Sequence, residues 1–200
     1  MSCLTFKQLF PSACKNSRHS AFTLVELLVV IAIIGILAAI ITPSAFRAVE
    51  KAKISRVVAD VRAIKAAGYA YYADTGDWPK AGQDFYDPGS GDDYGFLYFM
   101  RADGSNGWNG PYLEKPPVAT PWGGRYRYWK SRITGTVYDA AGNLIAVNNT
   151  KCAVVTIGGL PDQSIRDVVD RRIRESVGYS YVGEENGTYY ISVIIWMEGL

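Results

Sequence analysis

SAFTLVELLVVIAIIGILAAIITP, residues 20–43, decides the architecture. From Leu27 to Ile41, fifteen consecutive positions are apolar or small. A helix rises 1.5 Å per residue, so roughly 20 residues cross the ~30 Å hydrocarbon layer of a bilayer. Residues 22–45 are long enough for that. Lys7, Lys15 and Arg18 precede the run with no Asp or Glu among them. This asymmetry predicts an N-terminus on the cytoplasmic side and a body beyond the membrane. A basic stretch followed by an apolar one is also the order of a secretory signal, which is cut after its apolar core. AFRA at residues 45–48 is the small-residue candidate for such a cut. Against it, a helical pattern continues behind Pro43, and the polar-to-apolar junction, SRHSAFTLVE, lies before the core.

Glu26 is what a plain anchor does not explain. A carboxylate five residues into an apolar helix is expensive in lipid and generally has a partner or a task. A cut between Ala21 and Phe22 would create an amino group four residues away. The same amine on a neighbouring subunit could pair with Glu26 as two helices slide past each other. The competing reading leaves Glu26 wet among the headgroups.

Beyond Pro43 the helical rhythm persists but the chemistry changes. Ile54, Val57, Val58, Val61 and Ile64 recur at steps of three and four, with Lys51, Lys53, Arg56, Asp60, Arg62 and Lys65 between them. One face should therefore pack on a body while the other stays polar. Pro43, and with it Gly35, is expected to bend or loosen the helix, and Gly68 and YYADTGDWP to end it. The expectation is one helix of about 50 residues, at 1.5 Å rise each. Its residues 22–45 are greasy all round, and residues 46–72 are amphipathic.

The body, residues 73–200, reads as α+β. Residues 73–121 carry turn signals, Asp87-Pro88-Gly89, Asp103-Gly104, Asn109-Gly110-Pro111 and Pro116-Pro117. Trp78, Phe85, Tyr94, Phe96, Tyr98, Phe99 and Trp108 are expected to tack this loop onto the helix. Strand-like runs follow at Arg125–Trp129, Thr134–Tyr138, Leu144–Val147 and Lys151–Ile157. A late amphipathic helix is expected at 161–177, with Pro161 in its first turn. The last strands are Tyr179–Val182 and Thr188–Trp196, with EENG between them as a turn.

Charge and composition exclude several functions. The formal charge is +2, from 21 basic and 19 acidic residues. Loss of Lys7, Lys15 and Arg18 with residues 1–21 leaves 18 basic side chains and a net charge of −1, so no nucleic-acid partner is expected. Cys3 and Cys14 lie in the same leader, so the remaining chain holds Cys152 alone and can form no internal disulfide. Cys152, inside KCAVVTI, reads as a small buried hydrophobe. His19 also lies in the leader, which leaves no histidine for a triad or a metal site. No GxxxxGK[ST] run is present, so any motor ATPase must be a separate protein. An enzyme is not expected.

SAFTLVELLVVIAIIGILAAIITP and the helix behind it closely resemble the N-terminus of type IV pilins and type II secretion pseudopilins. That resemblance implies a leader of residues 1–21, a prepilin peptidase that cuts between Ala21 and Phe22, and N-methylation of Phe22. It also makes Glu26 the assembly glutamate and Pro43 the helix proline. The residue before the cut is normally glycine, and here it is Ala21. YADTGDWP at 72–79 and GPYLEKPPVATPWGGRYRYW at 110–129 are further similar to the major, G-type pseudopilin. There Gly110, Pro111, Tyr112 and Leu113, with Pro121, Trp122 and Gly123, punctuate the loop and first strand. The short acidic calcium loop of that subunit has no counterpart in this sequence. Asp139, Asn143, Glu184 and Glu185 could offer oxygens to calcium, but their spacing fits turn residues better, and no cofactor is expected.

The resemblance implies a pilin-like fold and self-association into a helical filament. The implied partners are minor pilins or pseudopilins and an inner-membrane assembly platform with its motor ATPase. Two filaments fit: a periplasmic pseudopilus that helps drive protein export, or a type IV pilus for adhesion, motility or DNA uptake. A membrane-anchored periplasmic binding module is the reading from another class.

Overall fold

The computed structural model describes residues 22–80, 96–100, 102, 104–117 and 119–199. The leader, the cut residue Ala21 and the turn at Asp87-Pro88-Gly89 therefore lie outside the described residues, as do Phe85 and Tyr94. The chain divides into two compact units, one ending at Arg47 and the other running from Ala48 to Leu200.

One helix, α1 (Leu24–Thr75), contributes to both units. In the first unit its side chains are exposed all round, from Phe22 to Phe46. A helix that is apolar on every side needs lipid or other helices around it, and this one is long and apolar enough to cross a membrane. Helix runs through Gly35 and Pro43 without a break. Pro43 has no N–H, so Ala39 loses its helical donor. One residue earlier, the Thr42 hydroxyl donates to the Ala38 carbonyl at 2.6 Å.

In the second unit α1 buries a single stripe, Val57, Val61, Ile64, Ala67, Gly68 and Tyr71. Gly68 was expected to help end the helix, and it does not. It lies well inside α1, where a Cβ would sit 2.0 Å from a ring carbon of Trp78. Its missing side chain is the seat of that indole. The helix stops three to four residues beyond the expected 72. There Gly76 takes φ 78° and donates its N–H to the Tyr72 carbonyl at 2.8 Å, the left-handed glycine stop of many helices.

After the short helix α2 (Leu97–Met100) come β1 (Tyr126–Tyr138), β2 (Leu144–Leu160), α3 (Gln163–Val177), β3 (Tyr179–Glu185) and β4 (Thr188–Met197). The strands are antiparallel in the order β1-β2-β4-β3, and Tyr138 on β1 also pairs with Ser180 on β3, so the sheet closes on itself. Four expected short strands are in fact two long ones. The polar residues that looked like loops, near Arg132 and Asn148, are an irregularity within one exposed hairpin. Ile133 pairs with Thr150 and Gly135 with Val147, so β2 carries one extra residue. Asn149 absorbs it at φ 49°, and its N–H is accepted by the Thr134 hydroxyl at 2.9 Å. This is a β-bulge, which bends a strand without ending it. Asn186 and Gly187, at φ 52° and 73°, make the two-residue turn between β3 and β4.

Pro161 lies just before α3 rather than in its first turn. Asp162 is the N-cap and its carboxylate accepts from the Ile165 N–H at 2.8 Å, so helical geometry starts at Gln163.

Two apolar clusters occupy opposite faces of the sheet. One joins the α1 stripe to Phe96, Phe99, Tyr126, Tyr128, Val155, Ile157, Ile191, Val193 and the inner face of α3. The other lies within the curl of the sheet and holds Val137, Val147, Cys152, Val154, Ile194 and Met197.

Candidate functional site

Thr23 and Glu26 form a reciprocal cap at the start of α1. The Thr23 N–H and hydroxyl both donate to Glu26 Oε2, at 3.0 and 2.8 Å, and the Glu26 N–H donates to the Thr23 hydroxyl at 3.2 Å. This is the Thr-x-x-Glu capping box, which satisfies amide donors that a helix start leaves open. Glu26 thus has a local partner, which the sequence reading had not considered. Both bonds from Thr23 fall on Oε2, and Oε1 keeps its acceptor capacity. Phe22 beside it is 81% exposed.

In the second unit, the two loop motifs grip α1 at separate stations. Residues 110–113 hold its C-terminal end. Tyr112 and Leu113 donate their N–H groups to the Phe99 carbonyl at 2.8 and 3.2 Å. The Tyr112 hydroxyl donates to Asp74 Oδ2 at 2.8 Å and accepts from the Asn109 N–H at 2.9 Å. The Tyr112 ring meets Tyr71 and Trp108 edge-on, with centroids 5.4 and 5.8 Å away. A Cβ on Gly110 would strike the Trp108 and Tyr112 rings, and the Gly110–Pro111 peptide is cis. Residues 121–123 hold the helix 24 positions earlier, about 36 Å along its axis. There the Trp122 indole N–H donates to Glu50 Oε1 at 2.8 Å. The turn itself rests on β2: Thr120 N–H donates to the Gly124 carbonyl at 2.9 Å, and the Thr120 hydroxyl to the Gly158 carbonyl at 3.2 Å. A Cβ on Gly124 would lie 2.0 Å from that same carbonyl oxygen, so backbone meets backbone here.

The sequence reading named the loop side of these contacts and missed the helix side, Glu50, Asp74 and Gly68. Spacing carried the signal. Glu50, Val57, Ile64 and Tyr71 lie seven apart, as do Asp60, Ala67 and Asp74, so these acids share the stripe that packs on the body. Asp60 accepts from the buried Tyr126 hydroxyl at 2.9 Å. Burial, and then the Asp60 carboxylate, push that phenol's pKa up. Lys65 Nζ donates to the Val177 carbonyl at the end of α3, at 2.6 Å, and partial burial lowers its pKa.

Asp139 and Asn143 belong to the β1–β2 turn. Asp139 accepts from the Asn143 N–H at 2.7 Å and from its side-chain amide at 3.1 Å. Glu184 and Glu185 end β3, well along the chain. Among the described residues no cluster of three or more acidic, histidine or cysteine side chains could hold a metal ion. Cys152 is fully buried, and burial pushes its thiol up to about 11, which is the chemistry of an inert core residue and not of a nucleophile.

A family model described as "PilW, C-terminal" matches residues 48–138, and one described as "Prokaryotic N-terminal methylation motif" matches residues 16–42. The chain is 34% identical over 119 residues to the type II secretion system core protein G of Pseudomonas aeruginosa, covering 57% of this chain and 75% of that one. The Vibrio cholerae protein of the same name is 29% identical over 123 residues, covering 62% and 79%. The type IV major pilin protein PilE of Neisseria gonorrhoeae is 40% identical over 65 residues, which is 32% of this chain and 39% of the pilin. No solved structure matches.

Proposed function

The chain belongs to the type IV pilin and type II secretion pseudopilin superfamily, and from that premise we propose that it is the structural subunit of a type II secretion pseudopilus. The observation that carries this reading is the extent of the likeness to the core protein G sequences. A match of 119 residues is longer than α1 and must draw on the body. The 65-residue pilin match is no longer than the leader and helix together.

The mechanism is mechanical. A prepilin peptidase cuts between Ala21 and Phe22, and the new Phe22 amine is methylated. The apolar part of α1 holds the subunit in the inner membrane, with its N-terminus cytoplasmic and its body periplasmic. A platform with a separate motor ATPase lifts it into the filament, where minor pseudopilins join it. Its apolar surface then passes from lipid to neighbouring helices and stays dry. Glu26 Oε1 pairs with the Phe22 amine of the adjacent subunit while Oε2 stays on Thr23, which sets axial register. A carboxylate costs about 3 kcal/mol at the centre of a membrane helix and less near an end, where Glu26 lies. Both the cap and the intermolecular pair reduce that cost.

A type IV pilus subunit is the second reading. It is favoured by the C-terminal third, where α3 and the β3–β4 hairpin stand in place of the short calcium loop that the G-type resemblance implies. Immunogold electron microscopy of native cells, with antibody to residues 73–200, separates the two. Label confined to the envelope is the outcome expected of a pseudopilus subunit. Labelled long surface fibres would replace it with the pilus reading.

A further inference from the structure

On the sheet face turned away from α1, one register row crosses all four strands. Arg127 on β1 pairs with Thr156 on β2, Thr156 with Ser192 on β4, and Ser192 with Tyr181 on β3. These side chains form the floor of an open groove of about 760 Å³, with Trp122, Arg125, Glu185 and Tyr190 on its walls. The volume lies within the ~300–1,000 Å³ typical of small-molecule sites.

The floor is a row of linked polar side chains. The Trp129 indole N–H donates to Thr156 Oγ1 at 2.9 Å, and Thr156 Oγ1 and Ser192 Oγ are 2.9 Å apart. An indole nitrogen only donates, so Thr156 Oγ1 accepts there, and either hydroxyl can supply the proton shared by Thr156 and Ser192. Ser192 stands opposite Tyr181 in the register, and burial pushes that phenol's pKa up, with Ser192 partly offsetting the rise. The Tyr181 side chain lines the groove next to these hydroxyls.

From this arrangement we infer that the groove is a binding site for a carboxylated saccharide chain. Arg127, with Arg125 beside it, matches a sugar carboxylate. The Tyr181 hydroxyl and the Asn186 and Thr188 side chains at the far wall match ring hydroxyls. The Trp122, Tyr181 and Tyr190 rings supply flat apolar surface for the C–H faces of a sugar. A peptide strand is a poorer occupant, because the floor is a sheet face whose backbone groups are already paired. A bare phosphate is poorer too, because it leaves the aromatic rings and the Asn186 and Thr188 side chains of the groove unused. The inference holds for either filament the subunit builds.

The test titrates the full-length chain in detergent micelles with a hexamer of galacturonic acid and, separately, with cellohexaose, a neutral hexamer. Tryptophan fluorescence reads the binding. The expected result is saturable binding of the acidic hexamer, weakened about tenfold for the neutral one and about tenfold by Arg127→Gln, as loss of one charged hydrogen bond implies. Tyr181→Phe keeps the ring and removes its hydroxyl, and it should weaken both hexamers severalfold. Equal affinity for the two hexamers in the unaltered chain, or no saturation by the acidic one, overturns the inference whatever the variants do. Unchanged affinity in both variants overturns it as well.

Discussion

At the scale of single residues, Glu26 and Cys152 differ in what their surroundings leave available. Glu26 Oε2 is engaged by Thr23 and Oε1 is not. Glu26→Ala is therefore predicted to leave membrane insertion and cleavage intact but to cut fibre yield sharply, measured by sheared-fibre immunoblot. Normal yield would remove Glu26 from assembly. An intact-mass spectrum of the mature protein should begin at a methylated Phe22. Cys152 is buried beside Thr150, and its folded pKa lies above its ordinary 9.0, near 11. The group thus stabilises the fold below about pH 9, and that contribution disappears as pH rises from 9 towards 11. In the native protein at pH 8 the thiol should resist iodoacetamide and react only when urea unfolds the chain. On the acid side the signs reverse. The Asn143 N–H holds the Asp139 carboxyl below its usual 3.8, and the Ser164 hydroxyl and then the Ile165 N–H do the same for Asp162. Both support the fold above that range and lose their effect as pH falls through it.

At the scale of elements, α1 is held by stations, not by a uniform seam. The apolar stripe Val57, Val61 and Ile64 was legible from spacing alone, because a 3.6-residue period leaves few alternatives. Gly68 was not, because a glycine inside a helical pattern reads as a breaker until the ring that fills its space is known. Gly68→Ala brings a better helix former by about 1 kcal/mol, yet it drives a methyl into Trp78. Overpacking of this kind costs about 1–3 kcal/mol, so the net effect should be a lower urea midpoint. A rise in midpoint would mean that the indole moves aside cheaply. The Trp122–Glu50 bond can be isolated by a double-mutant cycle with Trp122→Phe and Glu50→Gln. A coupling of about 1 kcal/mol is expected for one partly buried, charge-assisted hydrogen bond. The loop motifs were visible as turn chemistry, whereas their helical partners were hidden among charges that looked like a solvated face. The merged strands mislead for a related reason. A bulge and a turn use the same polar residues, and only cross-strand register tells them apart.

At the scale of the whole molecule, the sheet buries apolar side chains on both of its faces. One side meets α1 and α3, and the other curls over a second apolar cluster along part of its length and leaves the groove floor open. A slip of one residue in β4 would turn Ser192 towards the helices and Ile191 and Val193 away from them, so the register is strongly specified. The overall class, a long helix on a small antiparallel sheet, was legible because the helix writes its length in apolar residues and the strands alternate. The closure of β1 onto β3 was not, since it rests on one residue pair far apart in the chain. Strand order carries a further consequence, one of timing. β4 lies between β2 and β3 yet follows both in the chain. On the proposed topology, with the body exported from its N-terminal side, β1, β2 and α3 emerge with a gap that only later residues can fill. The body must therefore travel as an open half-structure, and it locks only when Thr188–Met197 arrive. A chain ended before Thr188 should reach the same compartment and be degraded there, visible as rapid loss in a pulse-chase. The last strand to emerge is the keystone of the sheet.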